Sequence, residues 1–165
     1  MLLTDVVRSA IDPALQVLPR KFDSREARVL MLTIGLQESR FEYRRQMGNG
    51  PARGFWQFEE GTRASRGGVW GVYLHSASAD LLRQLCHERD VPFDPHAIWA
   101  ALEQDDVLAA GVARLMLFTN PKPLPAVGDA DGGWAYYLNT WRPGKPHPET
   151  WPALYAQALA VVKGA

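Results

Sequence analysis

At 165 residues, 47% of them hydrophobic and 22% charged, the chain has the size and composition of one compact domain with a real core, which excludes intrinsic disorder. Eighteen Lys plus Arg balance eighteen Asp plus Glu, and this net charge of +0 argues against a dedicated nucleic-acid binder. Cys86 is the only cysteine, so no intrachain disulfide can form, which fits a reducing compartment, and no apolar run reaches the ~20 residues that span a bilayer.

The N-terminal segment has no basic n-region, and Asp5, Arg8 and Asp12 interrupt its apolar run, so it does not read as a secretory signal. Thr4 to about Leu18 is amphipathic, with Pro13 marking a break or a new start. Asp23 followed by Glu26 reads as a capping box opening a helix that runs to about Glu38. The middle of that helix, Val29 to Leu36, is apolar on nearly every face, which predicts a buried central helix. From Ser39 to Gly54, four arginines, several glycines, Asn49 and Pro51 predict a loop or a small irregular hairpin. Further helices are expected near Ser78–Arg89, Pro95–Glu103, Asp105–Phe118, Asp131–Thr140 and Thr150–Val162. Asp94-Pro95 is an N-cap and N1 pair, and Thr150 with Pro152 is a similar start. Asn120–Gly133, with three prolines and three glycines, is the longest expected loop. Period-2 alternation is nearly absent. The fold class is therefore mostly α, as a single domain over residues 1–165 with a buried central helix and a small irregular insert after the second helix.

Glu38 ends the expected buried helix. The negative end of the helix dipole and partial burial both disfavour its carboxylate, which raises its pKa toward what a general acid needs at neutral pH. Downstream come Glu38-Ser39-Arg40-Phe41, then Gly50-Pro51-Ala52-Arg53-Gly54-Phe55-Trp56-Gln57-Phe58, then Thr62, at a spacing of 19 from Glu38 to Gln57. Gly54 allows close approach of the backbone to a bulky ligand. Gln57 offers one acceptor and two donors, suited to an N-acetyl or hydroxyl group. Trp56 is a candidate apolar floor for a ligand, whereas Phe58 reads as core.

This ordered set resembles the lysozyme-like superfamily, most closely its lytic transglycosylase branch. That branch carries Glu-Ser-x-Phe at the end of the catalytic helix, then Gly-x-Ala-x-Gly-x-x-Gln and a later Thr. A third family element, Ala-Tyr-Asn, is matched in part: Ala135-Tyr136 are present, Tyr137 stands where Asn is expected, and Asn139 follows two residues on. Either Tyr136 or Tyr137 is left to face the site, with Tyr137 favoured. The resemblance spans roughly Ser24 to Gly144. It departs at Glu42-Tyr43, where the family continues with Asn-Pro. Glu42, Glu59 and Glu60 are thereby candidate second carboxylates, with Glu59 and Glu60 read chiefly as solvated charges at the start of a helix. Arg142, at a helix stop, is a candidate substrate contact.

The resemblance implies cleavage of the β-1,4 bond between N-acetylmuramic acid and N-acetylglucosamine in peptidoglycan. Glu38 would be the catalytic residue, with Ser39, Gly54, Trp56, Gln57, Tyr137 and Asn139 around the substrate. One clear carboxylate favours the lytic transglycosylase route to 1,6-anhydro ends. A lysozyme-type hydrolase with a second carboxylate and a non-catalytic wall-binding module are the alternatives. His75, His87, His96 and His147 show no metal-ligand spacing, and neither a P-loop nor a dinucleotide glycine pattern occurs, so no metal and no cofactor is expected. The expected partner is the glycan strand, with no nucleic acid and no membrane insertion. A soluble wall-cleaving domain of this kind resembles a bacteriophage endolysin or a virion component.

Overall fold

The computed structural model describes residues 1–164. The chain opens with α1 (Leu3–Val6), a π-turn (Val7–Ile11) and α2 (Asp12–Val17) wound as one continuous rod. Pro13 neither breaks nor restarts it. A proline lacks an N–H and crowds the carbonyl four residues back. The wider π-turn falls directly ahead of Pro13 and includes Ser9, the residue four positions before it.

α3 (Arg25–Ser39) is the expected central helix, but its cap is Ser24 rather than Asp23. The Ser24 hydroxyl accepts from the Ala27 N–H at 3.1 Å. Asp23 instead takes the Arg28 guanidinium with both carboxylate oxygens, at 2.6 and 2.9 Å. Ten of the fifteen α3 residues are buried, too many for a surface helix with a single apolar stripe. Thr33, polar and fully buried, donates its hydroxyl to the Val29 carbonyl at 2.7 Å, which makes its burial tolerable.

The remaining helices are α4 (Gly68–Leu74), α5 (Ser76–Glu88), α6 (Pro95–Ala101), α7 (Asp106–Thr119), α8 (Ala130–Trp141) and α9 (Trp151–Lys163). Asp94 and Asp105 cap α6 and α7 through the Ala97 and Leu108 amides. Asp129 caps α8 through the Gly132 amide at 2.8 Å, so the expected long loop ends at Asp129 and Gly132 and Gly133 are helical. At α8, Gly133 lets the helix approach Leu30, Tyr155 and Trp151. Thr150 makes no side-chain cap for α9, because its hydroxyl bonds Gln37 and the His147 carbonyl instead.

α4 was not expected, and no helix starts at Glu59 or Glu60. Both glutamates lie outside any helix or strand, and their carbonyls accept the Val69 and Trp70 amides at 3.1 Å. Backbone from outside the helix thus satisfies the first turn of α4, and a backbone cap leaves no trace in residue type. Arg45↔Arg53 and Arg53↔Phe58 are isolated antiparallel bridges, and these make the irregular insert after α3. α3 packs most extensively on α9 and also on α7, while α5 and α7 pair on the other side of the core. A methyl on Gly111 would press into the Leu85 side chain, which shows how closely α5 and α7 meet.

Candidate active site

At the C-terminal end of α3 the chain reverses through two consecutive left-handed residues, Arg40 (φ 56°) and Phe41 (φ 55°). This turn folds the Phe41 ring back onto Gly35, where a methyl group would overlap it. Phe41 then meets Phe55 and Trp56 edge-on, with ring centroids at 5.4 and 5.6 Å. Ser39 is buried and donates to the Phe55 carbonyl at 2.7 Å while accepting from the Phe41 amide at 3.1 Å. Arg44 covers Phe55 at 4.2 Å and pairs with Asp106 on α7 through two bonds of 2.8 Å. The two segments that carry the resemblance are therefore one packing unit.

That unit corrects three candidate contacts. Ser39 does not face a substrate, because its hydroxyl is spent inside the turn. Trp56 is fully buried and donates its indole N–H to the Met31 carbonyl at 2.8 Å, so it offers no floor for a sugar. Gly54 is buried with φ 75°, and a methyl there would lie 3.0 Å from the Leu102 carbonyl oxygen. Its glycine serves backbone conformation and contact with Leu102 and Ala109, not approach to a ligand. Phe58 is core, at 3% exposure.

Glu38 and Gln57 are the residues this unit presents outward. Both line a cleft of about 760 Å³, together with Tyr43, Tyr137, Trp141 and Arg142. Gln57 sits in a left-handed turn (φ 50°) and donates its amide to the Gly54 carbonyl at 2.9 Å. This fixes the side chain's orientation.

Burial pushes the Glu38 carboxyl up from the ordinary 4.5 to about 7, against the opposing pull of the Tyr137 hydrogen bond. The Tyr137 hydroxyl donates to Glu38 Oε1 at 2.5 Å, across 99 positions of sequence. Burial also raises the Tyr137 phenol strongly, followed by the nearby Glu38 charge, so Tyr137 stays a donor throughout the neutral range. Tyr136 points elsewhere. Its hydroxyl donates to the Leu117 and Lys122 carbonyls and ties α8 to the end of α7. Asn139 is exposed and accepts from the Asn120 amide at 3.1 Å, away from the cleft lining, which removes it as a substrate contact.

Two cleft residues escaped the sequence reading. Tyr43 donates its hydroxyl to the Glu38 backbone carbonyl at 2.8 Å, which satisfies one of the last carbonyls of α3. It stands where the chain departs from the family pattern, so the resemblance gave no reason to look there. Trp141 donates its indole N–H to the Trp56 carbonyl at 3.0 Å and lies 6.3 Å from the Tyr137 ring. The signal was present, because residues four apart on a helix share a face.

Of the candidate second carboxylates, Glu59 lines the cleft and is exposed, whereas Glu60 bonds His96 at 3.1 Å and Glu42 lies outside the lining. Among the described residues no three of His, Cys, Asp and Glu gather as a metal group. Cys86 is buried, and burial raises its thiol to about 11, which keeps it unreactive. No helix among the described residues is long and apolar enough to cross a membrane. No family model, curated protein or solved structure matches the chain.

Proposed function

We propose that this protein cleaves the glycan strands of peptidoglycan at the bond between N-acetylmuramic acid and N-acetylglucosamine, as a lytic transglycosylase. The observation that carries the reading is Glu38, a carboxyl with its pKa near 7, held by Tyr137 in a cleft of about 760 Å³. An acid poised at neutral pH can both give and take a proton within one catalytic cycle.

Glu38 protonates the glycosidic oxygen, and the bond to the muramoyl C1 breaks. The substrate's N-acetyl group stabilises the cation-like C1. The Glu38 carboxylate then takes the proton of the muramoyl C6 hydroxyl as that oxygen closes on C1. The proton balance is restored, and the product ends in a 1,6-anhydro ring. Tyr137 holds the acid in one rotamer, and Gln57 orients the sugar beside it.

The position of Glu59 in the cleft lining supports a second reading, in which that carboxylate activates water and the protein is a lysozyme-type hydrolase. Mass spectrometry of digested murein separates the two. Transglycosylation gives muropeptides 18 Da lighter, roughly one water, than hydrolysis does. Glu38→Gln should abolish product release by at least about a thousandfold. Intact sacculi after incubation with wild-type protein would sink both readings.

A further inference from the structure

Part of the cleft wall is a strap from Trp141 to Thr150, which contributes Trp141, Arg142, Lys145 and His147 to the lining. It is fastened at both ends to the machinery around Glu38. At one end, Arg142 sits in a left-handed turn (φ 49°) and donates to the Arg66 carbonyl at 3.4 Å. At the other, Gln37, the residue before Glu38, bonds the His147 carbonyl at 3.3 Å and the Thr150 hydroxyl at 3.0 Å. So fastened, the strap adds Arg142 and Lys145 to the cleft lining.

Most arginines near the cleft's supporting framework are committed. Arg44 pairs with Asp106, Arg45 and Arg53 pair with Glu103, and Arg89 pairs with Asp105. Arg142 and Lys145 pair with no carboxylate among the described residues, although both are exposed to the cleft side. The strap's own acid, Glu149, is occupied by His147 at 3.1 Å. The cleft's exposed carboxylate is Glu59, so the strap brings two cations without a carboxylate partner into the cleft that Glu38 lines.

An N-acetylated disaccharide backbone offers cations neutral hydroxyl and carbonyl acceptors, and its one place for an anion is the branch on its muramic acid. That branch ends either in a free lactyl carboxylate or in an amide-linked peptide with carboxylates of its own. We infer that Arg142 and Lys145 form a subsite for the carboxylates of the muramoyl branch, so that the strap selects branched, anionic glycan over neutral glycan. This subsite rests on the glycan-cleaving reading above. A guanidinium and an ammonium on a pinned strap suit carboxylates of differing position, because Arg engages them through a planar fork and Lys as a point charge.

The test uses soluble murein glycan strands in four forms: with peptides, with peptides removed by an amidase, and each of these after amidation of its carboxylates. Wild-type protein should lose roughly tenfold in kcat/KM when the preferred anionic form is amidated, as two partly exposed ion pairs are removed. In Arg142→Gln/Lys145→Gln the anionic and amidated forms should be cleaved with equal kcat/KM. Lys145→Gln alone, at an exposed site free of helix-capping duty, should show an intermediate loss. If amidation matters only with peptides attached, the ligand is the peptide. If it matters in stripped strands, the ligand is the lactyl group. Equal cleavage of all four forms by the wild type overturns the subsite and leaves the glycan-cleaving reading standing. A discrimination retained by the double variant also overturns it. No cleavage of any form by the wild type overturns that reading and the subsite with it.

Discussion

Glu38 couples the proposed chemistry to stability through one proton. Its carboxyl titrates near 4.5 when unfolded and at about 7 in the fold. Between those values folding takes up a proton, so this group's contribution to stability is fully present below about 4.5. It is lost as pH rises through about 7. Glu38→Gln keeps the Tyr137 bond and carries no charge, so at pH 8 it should be more stable than wild type by roughly 1–2 kcal/mol, once the cleft water is allowed for. Thermal melts at pH 5 and pH 8 check this, and an equal difference at both values would contradict it. Activity follows the same proton, because a general acid must start protonated. kcat/KM should therefore fall as pH rises through about 7. Tyr137→Phe removes a bond that favours the carboxylate, so it should move that alkaline limb to higher pH. It should also lower turnover roughly tenfold through loss of the fixed rotamer. A pH profile of the variant reads both effects.

At the scale of elements, the joint between the end of α3 and the Gly54–Phe58 turn explains what sequence could and could not show. Ser39, Phe41 and Gly54 mark constrained positions in the motif, and all three are buried. A motif records that a residue type is required. It does not distinguish a contact with ligand from a contact with neighbouring backbone, and here the requirement is packing for Ser39 and Gly54. Capping by Asp94 and Asp105 was legible because a side-chain cap is local and chemical. α4 was illegible because its first amides bond the carbonyls of Glu59 and Glu60, and every residue has a carbonyl. The joint also makes a prediction. Ser39→Ala leaves the Phe55 carbonyl and the Phe41 amide without their side-chain partner in the interior, at a cost of about 1–3 kcal/mol. It should shift Glu38 as well, so activity measured well below the variant's Tm should still fall. Full activity at that temperature would mean that the joint stabilises the fold without positioning the acid.

Across the whole molecule, the candidate site depends on segments far apart in the chain meeting. Tyr137 reaches Glu38 over 99 positions and Thr150 reaches Gln37 over 113. What keeps α8 and α9 in register behind the cleft is Trp151, the first residue of α9, at 2% exposure. Its ring stacks on Tyr137 with centroids 5.3 Å apart and planes 16° from parallel, and its indole donates to the Ala130 carbonyl at 2.8 Å. Trp134 closes the group from one turn earlier on α8, at 5.4 Å from both rings. Tyr137 is thus clamped between the Glu38 carboxyl in front and an aromatic wall behind. Trp151→Ala should cost about 3–5 kcal/mol, the usual range for deleting a buried tryptophan. For a domain of this size that lowers the Tm by roughly 6–15 °C. Trp151→Phe keeps a stacked ring but loses the indole bond and part of the buried ring volume, so its stability cost should be smaller, roughly 1–3 kcal/mol. The informative measurement compares both variants at a temperature where each is folded. With the wall gone, Tyr137 gains rotamer freedom, so Trp151→Ala should lose turnover with little change in KM, while Trp151→Phe should stay close to wild type. If Trp151→Ala raised KM at unchanged kcat instead, the wall would be shaping the sugar-binding surface, and the clamp on Tyr137 would have no part in turnover.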